Sequence, residues 1–557
     1  MAVKKTGAEA LFQSMINQDI KYVFGLPGAK VDKLFDLMEY SNNPKAPKLI
    51  ITRHEQNASF MASGIGRLTG KPGVVATTSG PGVSNLATGL ITATSEGDPV
   101  VALGGQVPRN DVARLTHQSI PSKELMSTAT KDSVEVQDSN NISETFANAY
   151  QTAMAPKSGA TFISLPKDVL DDEVSTETIA PLTPIEQGGA DSKTIEDIIN
   201  KLEKAEMPVI LAGMRSSDSK VTAAIQNFLK KFSIPVVETF QGAGVISRDL
   251  EKNYFGRVGL FRNQIGDAML KESDLVIAIG YDPVEYEARL WNVDRNGEII
   301  NLDSIAPEIS NEYQPDLVVQ ADIAKTLNEL SEKLPELSLS QDKKDHLHQR
   351  QAKFLSKDAV PERKDANGVH PLEIIHALQE QVNDNTTVAV DVGSHYIWMA
   401  RHFRSYKPRH LLFSNGMQTL GVALPWAIAA ALERPGQPVV SIAGDGGFLF
   451  SGQELETAVR LNLNIVQLVW NDGYYDMVKF QEEAKYGRNS GVNIGSVDFA
   501  KYAESFGAKG IHVDKAEELE EALKTAFSTE GPTVIDIPVD YSDNIKLLST
   551  LLDDYVN

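Results

Sequence analysis

The chain contains no cysteine. That excludes disulfides, thiol nucleophiles and thiolate metal sites. No apolar run approaches the roughly 18 residues needed to span a membrane. The opening stretch, Met1 to Ala10, lacks the apolar core of a signal peptide. A cytoplasmic protein is the expectation. Positive charge is also scarce: 53 Lys and Arg face 75 Asp and Glu, a net charge of −22. Nucleic acid and anionic membranes are therefore not expected partners. The acidity is spread along the chain and reads as solvated surface. An anionic substrate must then be met by local basic groups and backbone donors. No strand is followed by Gly-x-Gly-x-x-Gly with an acid about twenty residues on, which argues against a nucleotide-binding dehydrogenase.

What is present is ordinary for a globular protein: 42% hydrophobic and 23% charged residues over 557 positions. That length exceeds one core and predicts two to four domains. Apolar, β-branched runs alternate with helical patterns, the signature of α/β units with parallel sheets. In the first segment the runs begin at Tyr22, Lys48, Gly73, Asp98 and Ala160. The Pro- and Gly-rich stretch from Pro181 to Ser192 reads as a boundary. A second set of runs begins at Pro208, Ile234, Asp274, Glu298 and Asp316, and a polar connector of a surface helix plus a loop spans Ser340 to Asn367. A third set begins at Thr387, Pro438, Leu463 and Pro532. The predicted domains are 1–180, 190–340 and 365–557, each a doubly wound parallel-sheet unit. No sequence repeat relates the first to the third.

The most informative stretch runs from Val440 to Phe448 and on from Leu463 to Gly473. Each half is an apolar run ending in a carboxylate beside glycine, Asp445 in Gly444-Asp445-Gly446-Gly447 and Asp472 before Gly473. Between them Glu454, Leu455, Ala458, Val459 and Leu461 recur at helical spacing. The unit predicted is strand, turn, helix, strand, with both aspartates at strand carboxyl ends, where open α/β sheets bind ligands. Two carboxylates there suit a hard cation such as Mg²⁺. The glycines would let backbone N–H groups approach a phosphate. Read singly, each aspartate is also a good helix N-cap. In the first segment Arg53-His54-Glu55 sits at a strand-to-helix transition, followed by small residues Ala58, Ala62 and Gly66. Glu55 taken alone is a first-turn acid favoured by the helix dipole.

Taken together, these blocks resemble the thiamine diphosphate enzymes. The resemblance covers nearly the whole chain and implies thiamine diphosphate and Mg²⁺ as cofactors. It assigns the cation to Asp445, Asp472 and the carbonyl of Tyr474. Where the family commonly has an Asn-Asn pair, this sequence has Asn471-Asp472. Glu55 would hydrogen-bond N1′ of the aminopyrimidine. Leu420, in Gly416 to Pro425, would wedge between the two rings. Val392, Ser394 and His395 would meet the pyrimidine and the diphosphate. The segment order is that of the acetolactate synthase and pyruvate oxidase branch, whose sites form between subunits. The resemblance implies a homo-oligomer, at least a dimer, with a dimer of dimers expected.

Within the branch, several blocks resemble the catabolic, FAD-independent acetolactate synthases. Thr116-His117-Gln118 stands where decarboxylases carry a His-His pair, and Gln118 matches a synthase glutamine beside the thiazolium. Lys131 matches a basic position that would neutralise substrate or serve only as surface charge. Gln481 replaces the tryptophan of the biosynthetic enzymes and fits pyruvate as acceptor. Ala212-Gly213-Met214-Arg215 lacks a rich glycine run, and Gly256 to Gln264 also resembles the FAD-free type. The implied reaction decarboxylates one pyruvate and joins the two-carbon unit to a second, giving 2-acetolactate and CO₂ on the way to acetoin. The alternatives of the same fold are an FAD-dependent pyruvate oxidase and a 2-oxo-acid decarboxylase.

Overall fold

The computed structural model describes residues 5–548 apart from 262–263, 295, 336, 338, 357 and 364–367. Positions Arg262 and Asn263 of the Gly256 to Gln264 stretch thus lie outside the described residues. Three six-stranded sheets organise the chain, and every neighbouring pair within them is parallel. The α/β, parallel-sheet reading is thereby established. Among the described residues no helix is long and apolar enough to cross a membrane.

The first sheet runs Lys48–Ile51, Tyr22–Gly25, Gly73–Thr77, Val100–Gln106, Ala160–Pro166, Asp132–Glu135. The central sheet runs Tyr254–Val258, Val236–Thr239, Pro208–Ala212, Leu275–Ile279, Glu298–Asp303, Leu317–Gln320. Numbered within the sheet this is order 3-2-1-4-5-6, the Rossmann arrangement. The third sheet runs Leu411–Phe413, Thr387–Val390, Val439–Gly444, Ile465–Asn471, Thr533–Pro538, Lys509–His512. Numbered within themselves, the first and third sheets share the order 2-1-3-4-6-5.

The central strands of each sheet are buried on both faces, which explains their unbroken apolar runs. Strands at or next to the sheet margins, Asp132–Glu135, Tyr254–Val258, Leu411–Phe413 and Lys509–His512, escaped the sequence reading. They are short, or broken by charge and glycine, so their pairing comes from the sheet beside them. A two-stranded antiparallel pair, Lys5–Thr6 with Glu173–Val174, was likewise not foreseen.

By internal contacts the chain gathers into two units, Met1–Ile185 with Gly421–Gly436 and Ser451–Leu463, and Glu186–Leu420 with Gln437–Phe450 and Asn464–Asn557. Two segments from within 365–557 thus cluster with the first sheet. The reason is packing. Helix Ala423–Glu433 is buried along most of its length and lies on helix Glu55–Thr69. The close contact with this helix falls at Gly64, which is not among the predicted small residues Ala58, Ala62 and Gly66, while Gly66 faces Pro99. A Cβ at Gly64 would come 2.9 Å from Cβ of Ala429, and one at Gly66 would sit 2.4 Å from the carbonyl oxygen of Pro99. Trp426, wholly buried, donates its indole N–H to Ser63 Oγ at 3.1 Å. The Arg67 guanidinium lies 4.3 Å from the Trp426 ring centroid and is neutralised by Glu96 and Asp98. Trp426→Ala would forfeit this contact and cost about 3–5 kcal/mol.

Candidate active site

In the second unit, strands Val439–Gly444 and Ile465–Asn471 pair in parallel, with Gly444 opposite Trp470. Asp445 opens the helix after the first strand, and Asp472 follows the end of the second. The predicted strand-turn-helix-strand therefore brings both carboxylates to neighbouring strand ends. Asp445 is buried. One oxygen accepts the Gly446 N–H at 2.7 Å, the other the Gly473 N–H at 2.6 Å. Asp472 Oδ1 accepts from Tyr474 N at 3.4 Å. Burial, with the carboxylates of Asp476 and Asp445 close by, pushes Asp472 up to about 8. Burial also raises Asp445 and Asp476.

Three carboxylates crowded together, Asp445 and Asp476 buried and Asp472 half-buried, repel one another, and a divalent cation is the natural relief. The residues thus fit a Mg²⁺ ion by the chemistry of the donor set. Among the described residues no three metal-ligating side chains form a cluster by themselves. Carboxylates, a backbone carbonyl and oxygens of the ligand would have to complete the shell. The ring of Tyr474 carries the Lys479 ammonium at 4.7 Å from its centroid.

Two glycines of the turn also relieve crowding within the fold. A Cβ at Gly446 would fall 2.6 Å from the Tyr475 ring, and one at Gly447 would fall 2.8 Å from Asp391 Oδ1. A side chain at either would displace these neighbours. A Cβ at Gly444 would meet nothing nearer than His395, at 3.4 Å.

Val392 donates its N–H to Asp391 Oδ1 at 2.9 Å, and Ser394 begins helix Ser394–His402. The Ser394 hydroxyl donates to Asp476 Oδ2 at 2.6 Å. Asp476 was not foreseen; it is recognised only because the fold seats it under Ser394, where Asn544 also donates to it. His395 is buried and hydrogen-bonded to the Asp391 carbonyl, and desolvation lowers its pKa to about 3. The imidazole is therefore neutral, and its Nε2 is buried without a partner. An orphaned buried nitrogen at this strand end is a further mark of a ligand site. Leu420 is half-buried and packs against the margin of the third core. Gln481 is exposed on helix Asp476–Tyr486 and donates back to the Met477 carbonyl at 2.9 Å.

In the first unit, Glu55 is the first residue of helix Glu55–Thr69, just past strand Lys48–Ile51, as the sequence predicts. The His54 side chain caps this helix by accepting from Gln56 N. Asn85 Nδ2 donates to Glu55 Oε2 at 3.0 Å. Gln118 has φ of +61°, a left-handed conformation, and lies against Gly80, where a Cβ would be 3.0 Å from that of Gln118. With Gly80, Pro81, Ser84, Ile120 and Leu125 it lines an open recess. Lys131 is placed differently. Its ammonium donates at 2.6 Å to the carbonyls of Thr152 and Ala155, at the end of helix Ile142–Met154. In the structure that is a charge at a helix terminus. The sequence match could not distinguish the two, since both require only a lysine.

The N-terminal TPP binding domain of thiamine pyrophosphate enzymes matches residues 5–126, the central domain 195–330 and the C-terminal TPP binding domain 391–537. An acetolactate synthase of Bacillus subtilis is 49% identical over 99% of this chain and 96% of its own. A catabolic acetolactate synthase of Raoultella terrigena is 43% identical over 98% and 97%. A probable acetolactate synthase large subunit of Methanocaldococcus jannaschii is 32% identical over 97% and 93%. The chain belongs to the thiamine pyrophosphate enzymes and, within them, to the acetolactate synthase family.

Proposed function

We propose that the protein converts two pyruvates to 2-acetolactate and CO₂, using thiamine diphosphate and Mg²⁺ without FAD. The observation that carries this reading is the Asp445–Asp472 pair at adjacent strand ends, in a chain whose relatives are named acetolactate synthases. Bound thiamine diphosphate supplies a carbon nucleophile and an electron sink, which together remove CO₂ from a 2-oxo acid. Asp445, Asp472 and the Tyr474 carbonyl would hold the cation that neutralises its diphosphate. Gly444, Gly446 and Gly447 would lie along that group, with Val392, Ser394 and His395 beside it. Neutral His395 offers this site a polar group without added charge. Asn85 already occupies Oε2 of Glu55, so Oε1 is the oxygen that would hold or share a proton with the aminopyrimidine. Leu420 would be the apolar side chain that packs against the cofactor's rings. Gln118 and Gln481 would orient the acceptor pyruvate with neutral amides, and the absence of a His-His pair withholds a proton from the two-carbon unit.

The domains would be 1–180 for the pyrimidine, 190–340 in the centre and 365–557 for the diphosphate. In the centre, Gly213 abuts the Tyr281 backbone, and Arg215 is tied to Asp282 and Asp303 at 2.9 and 2.7 Å. These contacts support a structural central domain, since the strand-end polar groups already satisfy one another. Glu55 of one copy would serve the diphosphate domain of another, in a homodimer or a dimer of dimers, within the cytoplasm and toward acetoin. The test is incubation of purified protein with pyruvate, thiamine diphosphate and Mg²⁺, read by NMR. Acetolactate and CO₂ without added FAD are expected. Acetaldehyde, acetyl phosphate or a need for FAD would overturn the assignment.

A further inference from the structure

The first unit contains a carboxylate that the reaction does not use. Glu454 is fully buried, at 0% exposure, yet it lies in the 3₁₀ turn Gly452–Glu454 that leads into helix Leu455–Arg460. Its Oε1 accepts from the Arg53 N–H at 2.9 Å, the His54 N–H at 3.2 Å and Asn57 Nδ2 at 3.0 Å. Its Oε2 accepts the Thr457 hydroxyl at 2.7 Å. Two of these donors are the consecutive amides that immediately precede Glu55. The third lies one turn along the same helix.

The surrounding segment grips the same place. Arg460 donates to the Ile51 carbonyl, the last residue of the strand, and Thr457 lies 3.5 Å from that oxygen. Arg53 pairs with Glu456 at 3.2 Å. The bend from strand to helix is thus held from outside by one short stretch, with Glu454 at its centre. The amides before a helix have no partner within it. Here a buried carboxylate supplies one, and fixes the direction in which the helix leaves the strand.

We propose that Glu454 is a positioning residue for Glu55, setting the backbone from which that side chain reaches the aminopyrimidine. This rests on the reading of Glu55 given above. A side chain at a helix start inherits any tilt of the bend beneath it, and a misplacement of about 1 Å costs about 10²-fold in rate.

Two readouts on the full-length protein test it. In the cofactor-free state, amide exchange followed by mass spectrometry should show Arg53 and His54 losing protection in Glu454→Ala. In the loaded state, exchange of the thiamine C2 proton, followed by NMR, should slow about 10²-fold with little change in pyruvate KM. Glu454→Gln should restore both, because its amide oxygen can accept the same three donors. Wild-type C2 exchange with wild-type amide protection in Glu454→Ala would overturn the proposal. Should that variant not fold, Glu454→Asp, one methylene short, and Asn57→Ala carry the same readouts, and wild-type values in both would overturn it. Glu55→Gln separates the two levels. If it abolishes C2 exchange while the Glu454 variants do not, only the positioning role fails. If it leaves exchange unchanged, the reading of Glu55 itself fails, and amide protection then reports whether Glu454 holds the bend.

Discussion

The first and third sheets share one strand order and differ almost completely in what they place at their strand ends. After one edge strand the first places Glu55, partly exposed and steadied by the amide of Asn85. The third gathers Asp445, Asp472 and Asp476 around two central strands, two of them buried and Asp472 half-buried, in mutual repulsion. Equal topology therefore does not mean equal chemistry. A lone carboxylate beside an amide is suited to handling a proton, whereas crowded carboxylates are suited to a cation. The residue after the strand decides, and the fold only determines which of these residues become neighbours.

The comparison can be broken at either end. The largest expected effect is that of Glu55→Gln, which should lower kcat by about 10²–10⁴ while thiamine diphosphate and Mg²⁺ still bind, as calorimetry would show. Near-normal turnover would remove the first sheet from the chemistry. Asp445→Ala should have the opposite signature, weakening Mg²⁺-dependent cofactor binding by at least about 10²-fold. Titration with Mg²⁺ at fixed cofactor checks this, and unchanged affinity would refute a cation at the third sheet. Asp476→Asn keeps the shape but removes one of the three charges, and should weaken apparent Mg²⁺ affinity by about tenfold.

Smaller effects sharpen the contrast. His395 is held neutral by burial, with its pKa lowered from 6.5 to about 3. The unfolded chain takes up a proton below 6.5 that the folded protein refuses, so this stability is present above 6.5 and is lost as pH falls toward 3. Calorimetry on cofactor-free protein should show a steeper loss of Tm from neutral to mildly acidic pH in the wild type than in His395→Asn. Equal slopes would mean that His395 is not held neutral. Lys131→Met should leave pyruvate KM unaltered and cost about 1 kcal/mol of stability, the value of a partly buried cation at a helix end. A large rise in KM would return Lys131 to the substrate site.

The motifs were legible because each is local. Gly444-Asp445-Gly446-Gly447 and Asp472 fall at the ends of apolar runs whose length and β-branched content read as buried strands, so both strand-end positions followed from the local sequence. Glu55 followed in the same way from the strand-to-helix switch at Arg53. What stayed hidden depends on distant parts of the chain. Asp476 reads as one more helix-start acid until the fold seats it beneath Ser394, 82 residues away in sequence. The margin strand Leu411–Phe413 is short and Lys509–His512 is broken by charge and glycine, and both exist because a neighbouring strand satisfies their backbone.

The sequence by itself determined the α/β class, the three sheets and the carboxylates at their ends, since hydrophobic period and glycine placement act within a few residues. Only the tertiary structure decided that the first and third sheets share a strand order, that Gly446 and Gly447 make room for Tyr475 and Asp391, that Lys131 closes a helix, and that Glu454 holds the bend beneath Glu55. Each of these is a contact between segments far apart in the chain. Such contacts are selected by shape and by the need of buried polar groups for partners, and neither leaves a periodic trace in the order of residues.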